Sequence, residues 1–124
     1  MMPPAGGEAT VKGSAAVTHE VFQHDPFPFP DGRFPRHLGT AVQRTVAEGR
    51  LPALTVIHTP DNAWVVLDGI NDPNLPGACI VDGMTHLADN DPSLAMTAGL
   101  PIGHRADREH PGAPWRAFPY EPEA

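Results

Sequence analysis

Two short apolar runs dominate the pattern of hydrophobic and polar positions. Ala63-Trp64-Val65-Val66-Leu67 and Ala78-Cys79-Ile80-Val81 each end on an Asp-Gly pair, Asp68-Gly69 and Asp82-Gly83. Their length, their β-branched and aromatic content and these turn signals predict two buried strands. Between them, Asn71-Asp72-Pro73-Asn74-Leu75-Pro76-Gly77 combines a fixed φ at Pro with residues that tolerate the remaining turn angles, so it predicts a loop. The stretch from Asp61 to Gly83 is therefore the centre on which other elements are expected to assemble.

Before it, Ala53 to His58 reads as a strand, and Thr59-Pro60-Asp61-Asn62 as the turn that makes it an antiparallel hairpin with the Trp64 strand. From His37 onward, Leu38, Ala41, Val42, Thr45 and Val46 recur at spacings of three and four, which predicts a helix stopped by Gly49. After the centre, Met84 to Asp89 begins a helical stretch. Asp91 is placed to N-cap a second one, with Pro92 in its first position and Gly99 as its stop. Polar alternation over His104 to Glu109 predicts an edge strand, and Trp115 to Phe118 a last strand or an anchored tail. The expected core is Leu38, Val42, Val46, Val56, Ile57, Trp64, Val66, Ile80, Leu87 and Leu94.

Composition changes this picture at the ends. The chain has 124 residues, with 16 Pro and 12 Gly that are densest in the first thirty-odd positions and the stretch after Leu100. Residues 1–17 offer almost nothing to bury and are expected to be a disordered tail; residues 119–124 are expected to be loose. Val17 to Phe22 reads as a short strand or docking segment. Residues 24–35 form an extended arm, since each Pro disfavours helix at the position before it. Its Phe27, Phe29 and Phe34 are expected to fold back onto the core. One domain over residues 18–118 follows.

A net charge of −7 and scattered single Arg residues give no basic cluster for a phosphate backbone, so nucleic acid is not the expected partner. An acidic surface suits a basic one. No apolar stretch approaches the roughly 18 residues that span a bilayer, and the N-terminus lacks the pattern of a secretion signal, so a cytoplasmic address is expected. The lone Cys79 lies in an apolar run and reads as a small buried hydrophobe.

Candidate chemistry is sparse. His19-Glu20 with His24 puts four residues between the histidines where the zinc-protease motif has three, so they do not share a helical face, and no metal or cofactor is expected there. Asp68, Asn71, Asp72 and Asn74 place side-chain oxygens in one loop but lack an EF-hand's spacing, so turn-stabilising bonds are the expected use. Ser14 and Ser93 sit in no nucleophile elbow. His58, His86 and His104 with Asp68 or Asp82 are the residues from which an acid and base pair would have to be drawn. Arg105 and Arg108, near Trp115, have the residue types of an interface hot spot, or else line a solvated strand and a filled core.

Taken together, the Trp64 strand ending in Gly69, the acidic loop, the His86-Leu87-Ala88-Asp89 and Asp91-Pro92-Ser93-Leu94 segments, Leu100-Pro101-Ile102-Gly103, Ala106, Arg108, Gly112 and Trp115 resemble the bacterial immunity protein 33-like family. The resemblance covers about Asp61 to Phe118. It implies a small α+β domain that binds and neutralises a toxin, marked at Trp64, Gly69, Asp91, Pro92, Pro101, Gly103, Arg108 and Trp115.

The fold expected is α+β, an antiparallel sheet of three to five strands with two or three helices on one face. The leading function is a non-catalytic protein-binding module of immunity type, whose partner is a basic toxin and whose contacts are Asp68, Asn71, Asp72, Asn74, Arg105 and Arg108. The alternatives are a small hydrolase or metal-dependent enzyme using His58, His86 and the Asp68 to Asp72 loop, and a self-associating structural module forming a homodimer.

Overall fold

The computed structural model describes residues 25–121. The expected tail over residues 1–17, the Val17 to Phe22 segment, His19, Glu20 and His24, and residues 122–124 lie outside the described residues. What is described is an α+β domain whose sheet has six strands: β1 (Gly39–Gln43), β2 (Thr55–His58), β3 (Trp64–Leu67), β4 (Cys79–Gly83), β5 (His104–Asp107) and β6 (Arg116–Pro119). Three helical segments accompany it: α1 (Arg44–Ala47), α2 (Met84–Asn90) and a 3-10 helix (Pro92–Thr97). No helix among the described residues is long and apolar enough to cross a membrane.

The strands lie in the order β4-β1-β3-β2-β5-β6. The expected hairpin is present, with Thr55 opposite Leu67 and His58 opposite Trp64. Asn62 closes its turn at φ +66°, a left-handed conformation that Asn tolerates better than most residues. The sheet is mixed rather than purely antiparallel, because β1 lies between β3 and β4, parallel to the first and antiparallel to the second.

β1 corrects the expected helix from His37. Leu38 and Val42 are four apart, which is one helical turn but equally two strand repeats, and with Thr40 they are fully buried on one face. Gly39 and Thr40 are weak helix formers, and β1 gains backbone partners on both sides from β3 and β4. Tertiary pairing therefore prevails, and helix survives only in the four residues of α1 before Gly49 stops it at φ +75°. The expected edge position of β5 is also corrected, because β6 pairs along its full length.

Strand alternation puts Leu38, Val42, Val56, Trp64, Val66 and Ala106 on one face. There they form a single cluster with Met84 and Leu87 of α2 and Leu94 of the 3-10 helix. Ile80 and Val46 are only partly buried against it, and Ile57 is buried on the opposite face. The arm folds back as expected. Phe29 stacks on Trp64 with ring centroids 6.1 Å apart, Phe34 meets Trp64 edge-on at 5.2 Å, and Phe27 meets His58 at 4.6 Å. Asp91 caps the 3-10 helix by accepting from the Ser93 N–H, with Pro92 in the first turn.

Candidate functional site

The connection from β3 to β4 must pass the end of β1, which separates them in the sheet. Asp68, the first residue after β3, is fully buried and organises this crossing. One of its carboxylate oxygens accepts from the Ile70 N–H at 2.7 Å and the Asn71 N–H at 2.9 Å. The other accepts from the Thr45 hydroxyl at 2.6 Å and the Asn71 side-chain amide at 2.9 Å. Gln43, at the end of β1, receives the Asp68 N–H on its oxygen and donates its amide to the Asn71 carbonyl. Further along, Arg44 Nε donates to the Gly77 carbonyl at 2.7 Å, and Asp72 accepts the Asn74 N–H at 2.9 Å. Gly69 has φ +74°, a backbone conformation that strains any residue with a Cβ, and a Cβ there would also crowd the Leu54 Cβ at 3.3 Å.

Burial is the largest single influence on the Asp68 carboxyl and raises its pKa. The four donors from Thr45, Asn71 and Ile70 outweigh it and hold the pKa at about 2. The neighbouring Cys79 is half-buried, and its Sγ lies 3.6 Å from the Pro73 carbonyl. Burial, and then the Asp68 charge, push its thiol up, so it stays protonated and is a poor nucleophile.

This geometry sorts the expected contact residues. Asp68 cannot touch a partner because it is wholly enclosed; its carboxylate holds the loop's shape instead. Asn71, Asp72 and Asn74 are exposed. What the loop presents most prominently is apolar: Ile70 is 67% exposed and Leu75 58%. Neither belongs to the contacts expected from sequence, although an isolated Ile or Leu in so polar a loop has little to bury against. Gln43 and Thr45 hold the loop but are not legible as its holders in sequence, because the spacing there predicts a helix in place of β1.

Arg108 is the second correction. Its side chain is fully buried, donating Nε to the Ala53 carbonyl at 3.0 Å, one terminal nitrogen to Ser93 Oγ and the other to Asp91 at 2.7 Å. The guanidinium lies 4.3 Å over the Trp115 ring, and Trp115 Nε1 donates to the Ser93 carbonyl. Burial raises the Asp91 pKa, but the bonds from Ser93 and Arg108 and the Arg108 charge bring it below the ordinary value. Arg105 is half-buried, paired with Asp107 at 3.0 Å and set over Phe118.

The histidines and acids considered for catalysis are dispersed. His58 is fully buried, stacked on Trp64 at 4.0 Å, with Nδ1 donating to the Leu100 carbonyl and Nε2 2.6 Å from the Asn62 oxygen. It pairs across the sheet with His104, but Asp68 stands four residues further along the hairpin, about 13 Å away. His86 is exposed on α2 and pairs with Asp82 of β4 at 3.1 Å, three strand positions and about 14 Å from β2. Among the described residues, no three His, Cys, Asp or Glu are grouped to hold a metal. A cleft of about 390 Å³ opens beside α1, lined by Val46, Leu51, Leu87 and Leu94 together with Arg50 and Asp91, and none of the expected site residues lines it.

Compared with protein-family models, with curated proteins and with solved structures, the chain matches none.

Proposed function

We propose that this chain is a non-catalytic protein-binding module whose docking surface is the β3–β4 crossing loop. The observation that carries the reading is the display of Ile70 and Leu75, both mostly exposed, on a backbone fixed from inside by Asp68 and Gln43. A loop already held in one shape loses little conformational freedom on binding, so more of its contact energy appears as affinity. Apolar side chains framed by Asn71, Asp72 and Asn74 have the composition of an apolar interface centre with a polar rim. The net charge of −7 favours a basic partner, and the resemblance of Asp61 to Phe118 to immunity proteins supplies its type, a toxin.

Affinity capture from the source cell at low and moderate salt, with Ile70→Asp/Leu75→Asp and Asp72→Lys as comparisons, tests this. A basic protein in stoichiometric amount is expected on the native chain and absent from the double variant. Asp72→Lys is expected to slow association, by about two- to tenfold at low salt, while leaving dissociation nearly unchanged. Equal retention by all three chains would rule out the loop as the surface. Absence of any partner on the folded native chain would sink the binding reading itself.

A further inference from the structure

Among the described residues the sheet has two outer strands, and only one of them is defended. β6 carries Arg116 and ends in Pro119, which has no N–H to offer a further strand. β4 carries no Lys, Arg or Pro, and its register against β1 runs unbroken from Cys79 opposite Gln43 to Gly83 opposite Gly39. Its Val81 is 56% exposed.

The hydrogen-bond alternation fixes which groups of β4 face outward. Met84 N–H donates to the Leu38 carbonyl and Arg44 N–H to the Ala78 carbonyl, so the even-numbered residues of this ladder bond β4 to β1. In an antiparallel pair the intervening residues turn their N–H and C=O groups the other way. Cys79, Val81 and Gly83 therefore point theirs at the open edge. Of these, the Gly83 N–H is occupied by the Asp82 carboxylate at 2.7 Å.

We propose that β4 pairs antiparallel with β4 of a second copy of this chain, about a twofold axis through Val81. The strand is self-complementary there. Val81 lies opposite Val81 of the second copy and the two exchange N–H and C=O, while each Cys79 N–H meets the other copy's Gly83 carbonyl. That gives two bonds at the centre and one at either end, four in all, with the Asp82 cap undisturbed. Side chains agree with this register. Val81, Ala41, Val65 and Ile57 are directly paired across four strands on the face away from the core, and the twofold joins two such apolar rows end to end through Val81. The product is one sheet twelve strands wide, twice the six of each copy. The groups involved are backbone groups of β4, so this interface stands apart from the loop reading above.

Sedimentation velocity over a micromolar to near-millimolar series tests it, with Val81→Pro and Val81→Thr as variants. Proline suits this position, because the Val81 N–H makes no bond within its own sheet and Ile80 before it is already extended. The native chain and Val81→Thr are expected to reach twice the 13.2 kDa chain mass, and Val81→Pro to weaken the dimer at least about thirtyfold through loss of two backbone bonds with its circular dichroism unchanged. A second readout needs no variant: the Val81 amide, turned away from β1 and with no acceptor among the described residues, is expected to exchange slowly with solvent at high concentration and quickly on dilution. A native chain monomeric throughout the series, a Val81→Pro dimer of native strength, or a Val81 amide that exchanges freely at every concentration would overturn the proposal.

Discussion

Asp68 shows how one buried charge is made acceptable. Its burial alone favours the neutral acid, yet four donors converge on its two oxygens and hold its pKa at about 2. The folded value lies below that of an unfolded aspartate, near 3.9, so the linkage has one sign. The stabilisation is fully present above about pH 4 and is lost as pH falls toward 2. A shift from 3.8 to about 2 corresponds to roughly 2 kcal/mol. Asp68→Asn keeps the shape but turns an NH2 group toward donors. It is expected to cost about 2–3 kcal/mol at pH 7, with the gap to the native chain closing as pH approaches 2. Urea unfolding at a series of pH values measures this, and a gap that stays constant into acid would show that the charge has no such role.

At the scale of elements, the Arg108 clamp ties the paired ends of β2 and β5, at Ala53 and at Arg108 itself, to the cap of the 3-10 helix, which is not part of the sheet. The planar fork supplies donors in three directions at once, and a lysine ammonium cannot span them. Arg108→Lys is therefore expected to lower stability by about 2–4 kcal/mol, a fall of roughly 10–20 °C in Tm, with the 3-10 helix and Trp115 loosened first. Thermal unfolding followed by Trp fluorescence reads it, and a Tm within a few degrees of native would refute the clamp.

The same scale explains what the sequence made legible. The β2–β3 hairpin, the cap at Asp91-Pro92 and the return of the Phe arm were readable because each rests on local chemistry: β-branched runs, an Asx cap, Pro-fixed extension. β1 was not, because Leu38 and Val42 satisfy both periods and the choice is made by β3 and β4, distant in sequence. For the same reason Asp68 was legible as a special residue but not as a buried one. Thr45, which donates to its carboxylate, and Gln43, which accepts its N–H, are set in place by β1, whose residues satisfy both periods. Arg108 looked like a surface contact because three of its partners, Ala53, Asp91 and Ser93, lie 15 or more residues away.

Across the whole molecule, the arm is what closes the core. Trp64 sits on a central strand, stacked on His58 and walled by Phe29 and Phe34, so its 2% exposure depends on residues thirty or more positions upstream. Phe29 is itself buried and touches Phe27, Phe34 and Trp64 together, which makes it the residue through which the arm is fastened. Phe29→Ala would leave a void bounded by three aromatic rings, and removal of a buried Phe typically costs about 3–4 kcal/mol. Much of the marginal stability of a domain this size would go with it. The expected signature is a lower urea midpoint with a red-shifted Trp emission already in the native baseline, as water reaches Trp64. Phe27→Ala, at a half-buried ring, should do less. Were Phe29→Ala to unfold at the native midpoint with unchanged emission, the arm would be a passive extension and the core would have to close over Trp64 without it.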